Sequence, residues 1–260
     1  MRRIIVSGAI ALAAIGLGAV AIAAESHIPL KHQHWHFTGP FGTYDRASAQ
    51  RGFQVYKDVC AACHSLSLLA YRNLMELGLT ENQVKGIAAE VQIPDIGDDG
   101  AAIERPGRLT DRFKKPFPNE AAAAAANGGK APPDLSLIVK AREGHQDYIY
   151  SLLTGYVPFD KLTPAQIKEF DVKKDDNFNL YFPGHKIAMP PPLADGKVEY
   201  VDGTKNTLDQ MSRDVVEFLA WASEPHLEAR NRTGIRVILF LLAMAGLMYA
   251  LKRQVWADKH

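Results

Sequence analysis

The chain has 260 residues, 47% of them hydrophobic and 23% charged, a composition that agrees with a folded domain carrying an apolar anchor. The formal charge of +1 hides an asymmetry, because residues 25–226 hold 22 Lys+Arg against 27 Asp+Glu, a formal −5, and the basic surplus lies at the ends. No basic stripe is left for nucleic acid, which excludes that class of partner.

The first segment begins Met1-Arg2-Arg3, runs apolar from Ile4 to Ala24, and closes on Ala21-Ile22-Ala23-Ala24. A positive start, an apolar stretch and a small-residue A-x-A end predict a signal peptide over residues 1–24, cleaved after Ala23 or Ala24. An uncleaved first membrane helix is the alternative; either way the residues after Glu25 are exported. Next comes an arm with His27, His32, His34, His36 and Trp35, whose irregular spacing fits a packed or surface segment better than a metal site.

Asp45 to Lys57 reads as a helix, with Phe53 and Tyr56 on one face. It leads into Cys60-Ala61-Ala62-Cys63-His64, which holds the only two cysteines of the chain. A structural disulfide, a thioredoxin-type redox pair and half a zinc site are the competing readings. Zinc would want further Cys or His at finger spacing, and a redox pair would not need the trailing histidine. The pentapeptide fits a c-type haem attachment site: two thiols add across the vinyl groups of one haem, and His64 is placed to ligate the iron. In an exported protein both cysteines would then be consumed as thioethers, leaving none for a disulfide.

Downstream, Ser65 to Leu79 is expected to be helical, as is Glu81 to Val91 with Thr80 as its N-cap. Residues 94–107, rich in Asp, Gly and Pro, are expected to form an exposed acidic loop. Asn119 to Asn127 is a strong helix former ended by Gly128-Gly129. After Pro132-Pro133-Asp134 come helical expectations for Leu135 to Arg142 and for Gln146 to Thr154, and Asp160 to Leu180 is expected to be irregular. Tyr181 to Leu193 is a Pro-rich loop around Met189. Asn206 to Ser223 is an amphipathic helix with a Thr207–Gln210 capping box and a stripe of Met211, Val215, Phe218 and Ala222. Finally Gly234 to Leu251 is apolar apart from Arg236 and is followed by Lys252-Arg253. At helical rise it reaches about 27 Å, near the thickness of a bilayer core, which predicts a membrane span. No internal repeat or long alternating strand is visible.

A thioether opposite the histidine raises an iron's reduction potential, so the sixth ligand matters. Met189, presented by a stiff Pro-rich loop, is the favoured candidate, and His185 on the same loop is its rival. Met211 sits on a helical stripe where a core role fits better, and Met244 and Met248 lie in the apolar span. Met75 is disfavoured because a continuous helix would carry it away from His64.

Several segments, taken in order, resemble one family. Arg51-Gly52-Phe53-Gln54-Val55-Tyr56-Lys57 before Cys60 to Ser65, then Pro132-Pro133-Asp134-Leu135-Ser136, Leu152-Leu153-Thr154-Gly155-Tyr156, Tyr181-Phe182-Pro183-Gly184, Met189 and a single C-terminal anchor look like the cytochrome c1 family of the ubiquinol–cytochrome c reductase (cytochrome bc1) complex. The resemblance covers about Trp35 to Trp256. It implies a mainly α, cytochrome c-like haem domain with long inserted loops plus one C-terminal transmembrane helix. It also implies one covalent haem c held by Cys60 and Cys63, His64 and Met189 as iron ligands, and Asn127, Pro133, Arg142 and Tyr148 lining the pocket, with Arg142 near a propionate. His185 matches a position that is not a ligand in the family.

The implied organisation is a signal peptide over 1–24, a periplasmic haem domain over 25–226, and an anchor over 227–260 spanning about 234–251 with a short cytoplasmic tail. The implied setting is a bacterial inner membrane, in a dimeric complex of the respiratory or photosynthetic chain. An electron would pass from the Rieske iron-sulfur protein through the haem to a cytochrome c, with cytochrome b beside the anchor. Such a carrier needs no catalytic acid, base or nucleophile. The acidic body fits a basic partner, although on charge alone ordinary solubility is the better explanation. A stand-alone anchored cytochrome, an oxidase subunit and a haem peroxidase are the alternatives.

Overall fold

Two helices far apart in sequence cross at Gly52 and organise the fold, which a computed structural model describes for residues 28–257. Helix α1 spans Arg46–Asp58 and helix α6 spans Leu208–Ser223. A Cβ on Gly52 would lie 1.9 Å from the backbone oxygen of Asp214 and 2.8 Å from Cβ of Phe218, so only glycine permits this approach. Around the crossing, the rings of Phe53 and Tyr56 meet Phe218 at 5.6 and 5.7 Å, and Phe218 meets Trp221 at 5.7 Å. Tilted ring contacts at these separations add to the burial of the rings themselves. The expected stripe of Met211, Val215, Phe218 and Ala222 is buried.

A buried ion pair locks the same crossing. Arg51 grips the fully buried Asp214 through Nε and Nη2, both at 2.9 Å, and the Ser48 hydroxyl donates to Asp214 at 2.6 Å. The side chain of Asp45 accepts from the N–H groups of Ala47 and Ser48 to start α1. Thr207 caps α6 by accepting from the Gln210 N–H, but the reciprocal half of the expected capping box does not form. Instead the Gln210 amide donates to Asp214 at 3.1 Å, because that buried carboxylate is the stronger acceptor.

Between these helices lie α2 (Glu81–Ala89), α3 (Glu120–Ala126), α4 (His145–Leu153) and α5 (Pro164–Glu169). Thr80 and Gln83 form a complete capping box for α2, and Asn119 caps α3. The architecture is mainly helical, as expected, but four local expectations change. Ser65 to Leu79 is not one helix: only Tyr71–Leu77 winds, as a 3-10 helix. The N–H groups of Tyr71 and Arg72 are spent on the carbonyls of Asp111 and Leu109, so an α-helical ladder cannot start there. No continuous helix therefore carries Met75 away from His64; the Met75 side chain itself is exposed.

Leu135 to Arg142 is likewise a series of turns, since its donors reach back to residues three or four away without repeating as a helix, and Leu135 donates to Ser65. Residues 94–107 lie largely in a hairpin of β1 (Gln92–Ile96) and β2 (Ala102–Pro106), with Ile96 opposite Ala102. Arg105 stabilises it by bonding both Asp95 and Asp111. The segment expected to be irregular, 160–180, contains α5, whose start is marked by Thr163, Pro164 and Gln166.

A second, smaller cluster of Leu162, Val172 and Phe178 sits under α5 and a two-residue pairing of β3 (Asn177–Phe178) with β4 (Lys186–Ile187). Helix α7, Leu227–Trp256, is 30 residues long, or about 45 Å. None of its side chains is buried in the protein, and its apolar stretch is long enough to cross a membrane. The segment expected to be a signal peptide lies outside the described residues.

Candidate haem site

Helix α1 ends where the cysteine motif begins. The motif winds as a 3-10 turn, Cys60–Ala62, with the N–H groups of Cys63 and His64 both donating to the Cys60 carbonyl at 3.1 and 2.8 Å. Both cysteines are unpaired thiols, Cys60 half-buried and Cys63 exposed, so the disulfide reading does not hold. Burial, with the neighbouring Cys63 adding, pushes the Cys60 thiol up to about 12. A thiol held protonated this way is a poor redox nucleophile, which weakens the thioredoxin-type reading as well.

His64 is gripped at both ends. Its carbonyl accepts from the Tyr56 hydroxyl at 3.1 Å, and its Nδ1 donates to the Pro133 carbonyl at 2.8 Å, leaving Nε2 as the nitrogen available to a metal. Burial lowers the imidazole pKa, partly offset by the Pro133 bond and the Asp134 charge, which favours the neutral form, the one that ligates. Next to Pro133, the Asp134 carboxylate accepts from the Ser65 hydroxyl and from the N–H groups of Ser67 and Ser136. A cavity of about 510 Å³ opens beside the motif, walled by Cys63, Phe117, Asn119, Ala131 and Pro133.

The other pocket candidates occupy two places. Asn127 closes α3 by donating from Nδ2 to the Ala123 carbonyl at 2.7 Å. Gly128 and Gly129, at φ +62° and +87°, then turn the chain toward Pro132 and Pro133. Arg142 is exposed and close enough to Tyr148 for its charge to oppose the upward push of burial on that phenol. Tyr148 in turn adds to the burial that raises the Tyr156 phenol, and the Tyr156 hydroxyl donates to the Met189 carbonyl at 3.1 Å. Arg142, Tyr148, Tyr156 and Met189 thus follow one another in space.

The loop presenting Met189 is anchored at its base. Asn179, fully buried, donates from Nδ2 to the Leu152 carbonyl, accepts from the Tyr181 N–H, and donates its own N–H to the His185 carbonyl. His185 adopts φ +60°, stacks on Phe178 at 5.4 Å, lies 4.3 Å from Phe170, and donates from Nδ1 to the Asn179 carbonyl. Its ring is committed to packing this loop. Ile187 and Ala188, just before Met189, share a cavity of about 250 Å³ with Lys130, so the Met189 loop and the segment leading to Pro133 face a common space.

Comparison with known proteins agrees with this geometry. The family model described as Cytochrome C1 family matches residues 35–259. The chain belongs to the cytochrome c1 family. It is 46% identical to cytochrome c1 of Rhodospirillum rubrum over 271 residues, covering 100% of this chain and 98% of that protein. It is 46% identical to the mitochondrial cytochrome c1 heme protein of Saccharomyces cerevisiae over 236 residues, covering 90% of this chain and 74% of the yeast protein. A Bradyrhizobium diazoefficiens protein named cytochrome b/c1 is also 46% identical, over 99% of this chain and 41% of its own length.

As in other members of the cytochrome c1 family, the cofactor is one covalently bound haem c. The donor set fits that group: two thiols and an imidazole on one turn, the imidazole neutral with Nδ1 already engaged, beside an open cavity. Three residues that organise the site are not singled out for it by sequence. Tyr156 and Asn179 hold the Met189 loop, and Asp134, which the sequence offers only as part of the Pro132-Pro133-Asp134-Leu135-Ser136 segment, ties that segment to Ser65 and Ser67. The signal for Tyr156 is present, since it closes the Leu152-Leu153-Thr154-Gly155-Tyr156 segment of the family pattern. The arm with the histidines docks on α4: the Trp35 indole and His32 both bond Asp147.

Proposed function

We propose that this chain is the haem-carrying, non-catalytic electron-transfer subunit of a bacterial cytochrome bc1 complex. It takes one electron at a time from the Rieske iron-sulfur protein and gives it to a cytochrome c. The haem supplies the one-electron couple. Cys60 and Cys63 would hold it as thioethers, and His64 and Met189 would ligate its iron. Asn127, Pro133, Arg142 and Tyr148 line the pocket, with Arg142 beside a propionate as a charge-assisted partner.

The observation that carries the reading is the 2.8 Å bond from His64 Nδ1 to Pro133 on the CxxCH turn, which presents Nε2 to a metal. For Met189 the support is its rigid loop, the Tyr156 bond to its carbonyl, and the commitment of the rival His185 to packing. A thioether opposite an imidazole gives a relatively high potential, which suits an acceptor placed after a Rieske centre.

The anchor α7 holds the haem domain, residues 25–226, at the periplasmic face of the inner membrane, with Lys252 and Arg253 on the cytoplasmic side. Residues 1–24 direct export. Cytochrome b lies beside α7, a placement supported by the relative whose name joins cytochromes b and c1, and the whole complex is dimeric.

Two measurements test this. Purification in mild detergent is expected to bring down a b-type cytochrome and a Rieske protein with this chain; a lone monohaem protein would overturn the assignment in favour of a stand-alone cytochrome. The ferric haem is expected to be low-spin with a sulfur-to-iron charge-transfer band, and Met189→Leu to abolish that band and change the potential. A high-spin wild type would favour a peroxidase-like site with an open sixth position.

A further inference from the structure

Pro133 has no N–H and a restricted φ, so where its carbonyl points is decided largely by what holds the residue after it. That residue, Asp134, is tied across the gap to the motif side. Its Oδ2 accepts from the Ser65 hydroxyl at 2.7 Å and the Ser67 N–H at 3.0 Å, while Oδ1 accepts from the Ser136 N–H at 2.8 Å. Two further bonds brace the same seam: Leu135 N–H to the Ser65 carbonyl at 2.8 Å, and Leu68 N–H to the Ser136 hydroxyl at 3.1 Å. One carboxylate therefore staples residues 65–67, which directly follow His64, to residues 133–136, which carry the acceptor of its ring N–H.

We propose that Asp134 is a positioning residue for the proximal ligand, setting the orientation of the His64 imidazole and the strength of its Nδ1–H bond to Pro133, and through them the reduction potential. A stronger Nδ1–H bond makes the imidazole a better donor and favours the ferric state, so loosening the staple raises the potential. Removing the carboxylate charge would raise it too, and the test must separate the two effects.

The inference rests on His64 being an iron ligand. A wild-type holoprotein lacking a low-spin, histidine-ligated ferric spectrum would defeat that reading, whereas the comparisons below defeat only the role of Asp134. In the purified holoprotein, Asp134→Ala is expected to raise the potential, shift the low-spin g-values that report the ligand plane, and speed solvent exchange of the His64 ring N–H about tenfold or more. Ser65→Ala, which removes one strand of the staple and leaves the charge, is expected to move the same three quantities in the same direction by less.

Asp134→Glu, which keeps charge and acceptors, is expected to recover part of the g-value and exchange changes. Should Asp134→Ala not assemble, Ser65→Ala and Asp134→Asn decide the matter through the same readouts. Unchanged g-values and ring exchange in these variants would overturn the proposal. So would a potential shift in Asp134→Asn with no effect of Ser65→Ala, because the carboxylate would then act only through its charge.

Discussion

Arg46 and Glu228 join the first turn of the helix that delivers the haem motif to the first turn of the anchor helix. Nη1 lies 2.6 Å from Oε1 and Nη2 2.9 Å from Oε2, and the same Oε1 accepts the Tyr44 N–H at 2.9 Å. Around them, the Tyr44 hydroxyl donates to the carbonyls of Ala220 and Glu224, and Glu224 pairs with Lys140 and Arg230. The start of α1 is thus tied to the start of α7 through side chains of both elements.

The two partners of this clamp differ in what they leave behind. Arg46 is 46% exposed, so the ion pair itself adds on the order of 0.2–1 kcal/mol. Glu228→Ala also strands the Tyr44 N–H, adding about 1 kcal/mol. Denaturant unfolding of the detergent-solubilised holoprotein is therefore expected to show Glu228→Ala costing about 1 kcal/mol more than Arg46→Ala. Equal costs would mean that the Tyr44 N–H bond to Glu228 contributes no more than the bond from Arg46 to the Tyr44 carbonyl.

Gly52 offers a harsher test of the helix crossing. With the Asp214 oxygen 1.9 Å from where a Cβ would sit, Gly52→Ala cannot be absorbed by rotating a side chain; α1 and α6 must move apart. Overpacking against backbone is expected to cost about 3 kcal/mol or more. Because α1 runs directly into the cysteine turn, the yield of covalently attached haem is expected to fall as well. A variant with normal haem content and unchanged unfolding would show that the crossing does not place the motif.

The legible parts of the molecule are those governed by local rules. The motif from Cys60 to His64 can be read because thioether and iron chemistry demand that spacing. Helices α1, α2, α4 and α6 can be read from apolar patterns with helical period, three of them capped by Asp45, Thr80 and Thr207. The failures share a cause in distant backbone donors and acceptors. Tyr71 and Arg72 spend their N–H groups on residues about forty positions away, which local propensity in Ser65 to Leu79 cannot register. His185 is the rival to Met189 because both sit on one loop, and the stacking of Phe170 and Phe178 against its ring adds a packing role that loop position alone does not give. Tyr156 belongs to a recognisable pattern, yet its bond to Met189 exists only once the two loops are folded together.

Glu217 makes the stability depend on pH. It is 4% exposed, and burial raises its carboxyl from 4.5 to about 7, with the charges of Asp45 and Asp214 adding and the Asp45 N–H bond pulling the other way. Since the folded state holds the proton more tightly than the unfolded chain, this group stabilises the fold below pH 4.5, and that contribution is lost as pH rises through about 7. At about 1.4 kcal/mol per unit, the loss is on the order of 3 kcal/mol. Glu217→Gln keeps an acceptor for the Asp45 N–H and cannot ionise. Its unfolding free energy relative to wild type is therefore expected to rise between about pH 5 and pH 8 by roughly 2–3 kcal/mol. A difference that is flat with pH would show that Glu217 does not change protonation on folding.

Tyr156 isolates the contribution of the distal loop. Its hydroxyl donates to the Met189 carbonyl at 3.1 Å, and its backbone bridges to Asn179, so the phenol ties the ligand-bearing residue to the end of α4. Tyr156→Phe removes that one bond and keeps the ring, at a cost of about 1 kcal/mol concentrated in the loop. With Met189 as the proposed sixth ligand, the cost falls on the ligated state alone, since a detached loop has already lost the tether. The sulfur-to-iron band is expected to be normal at low temperature but to disappear several degrees earlier on heating than in wild type, ahead of global unfolding. If the band is lost at the wild-type temperature, the phenol does not hold Met189 in place.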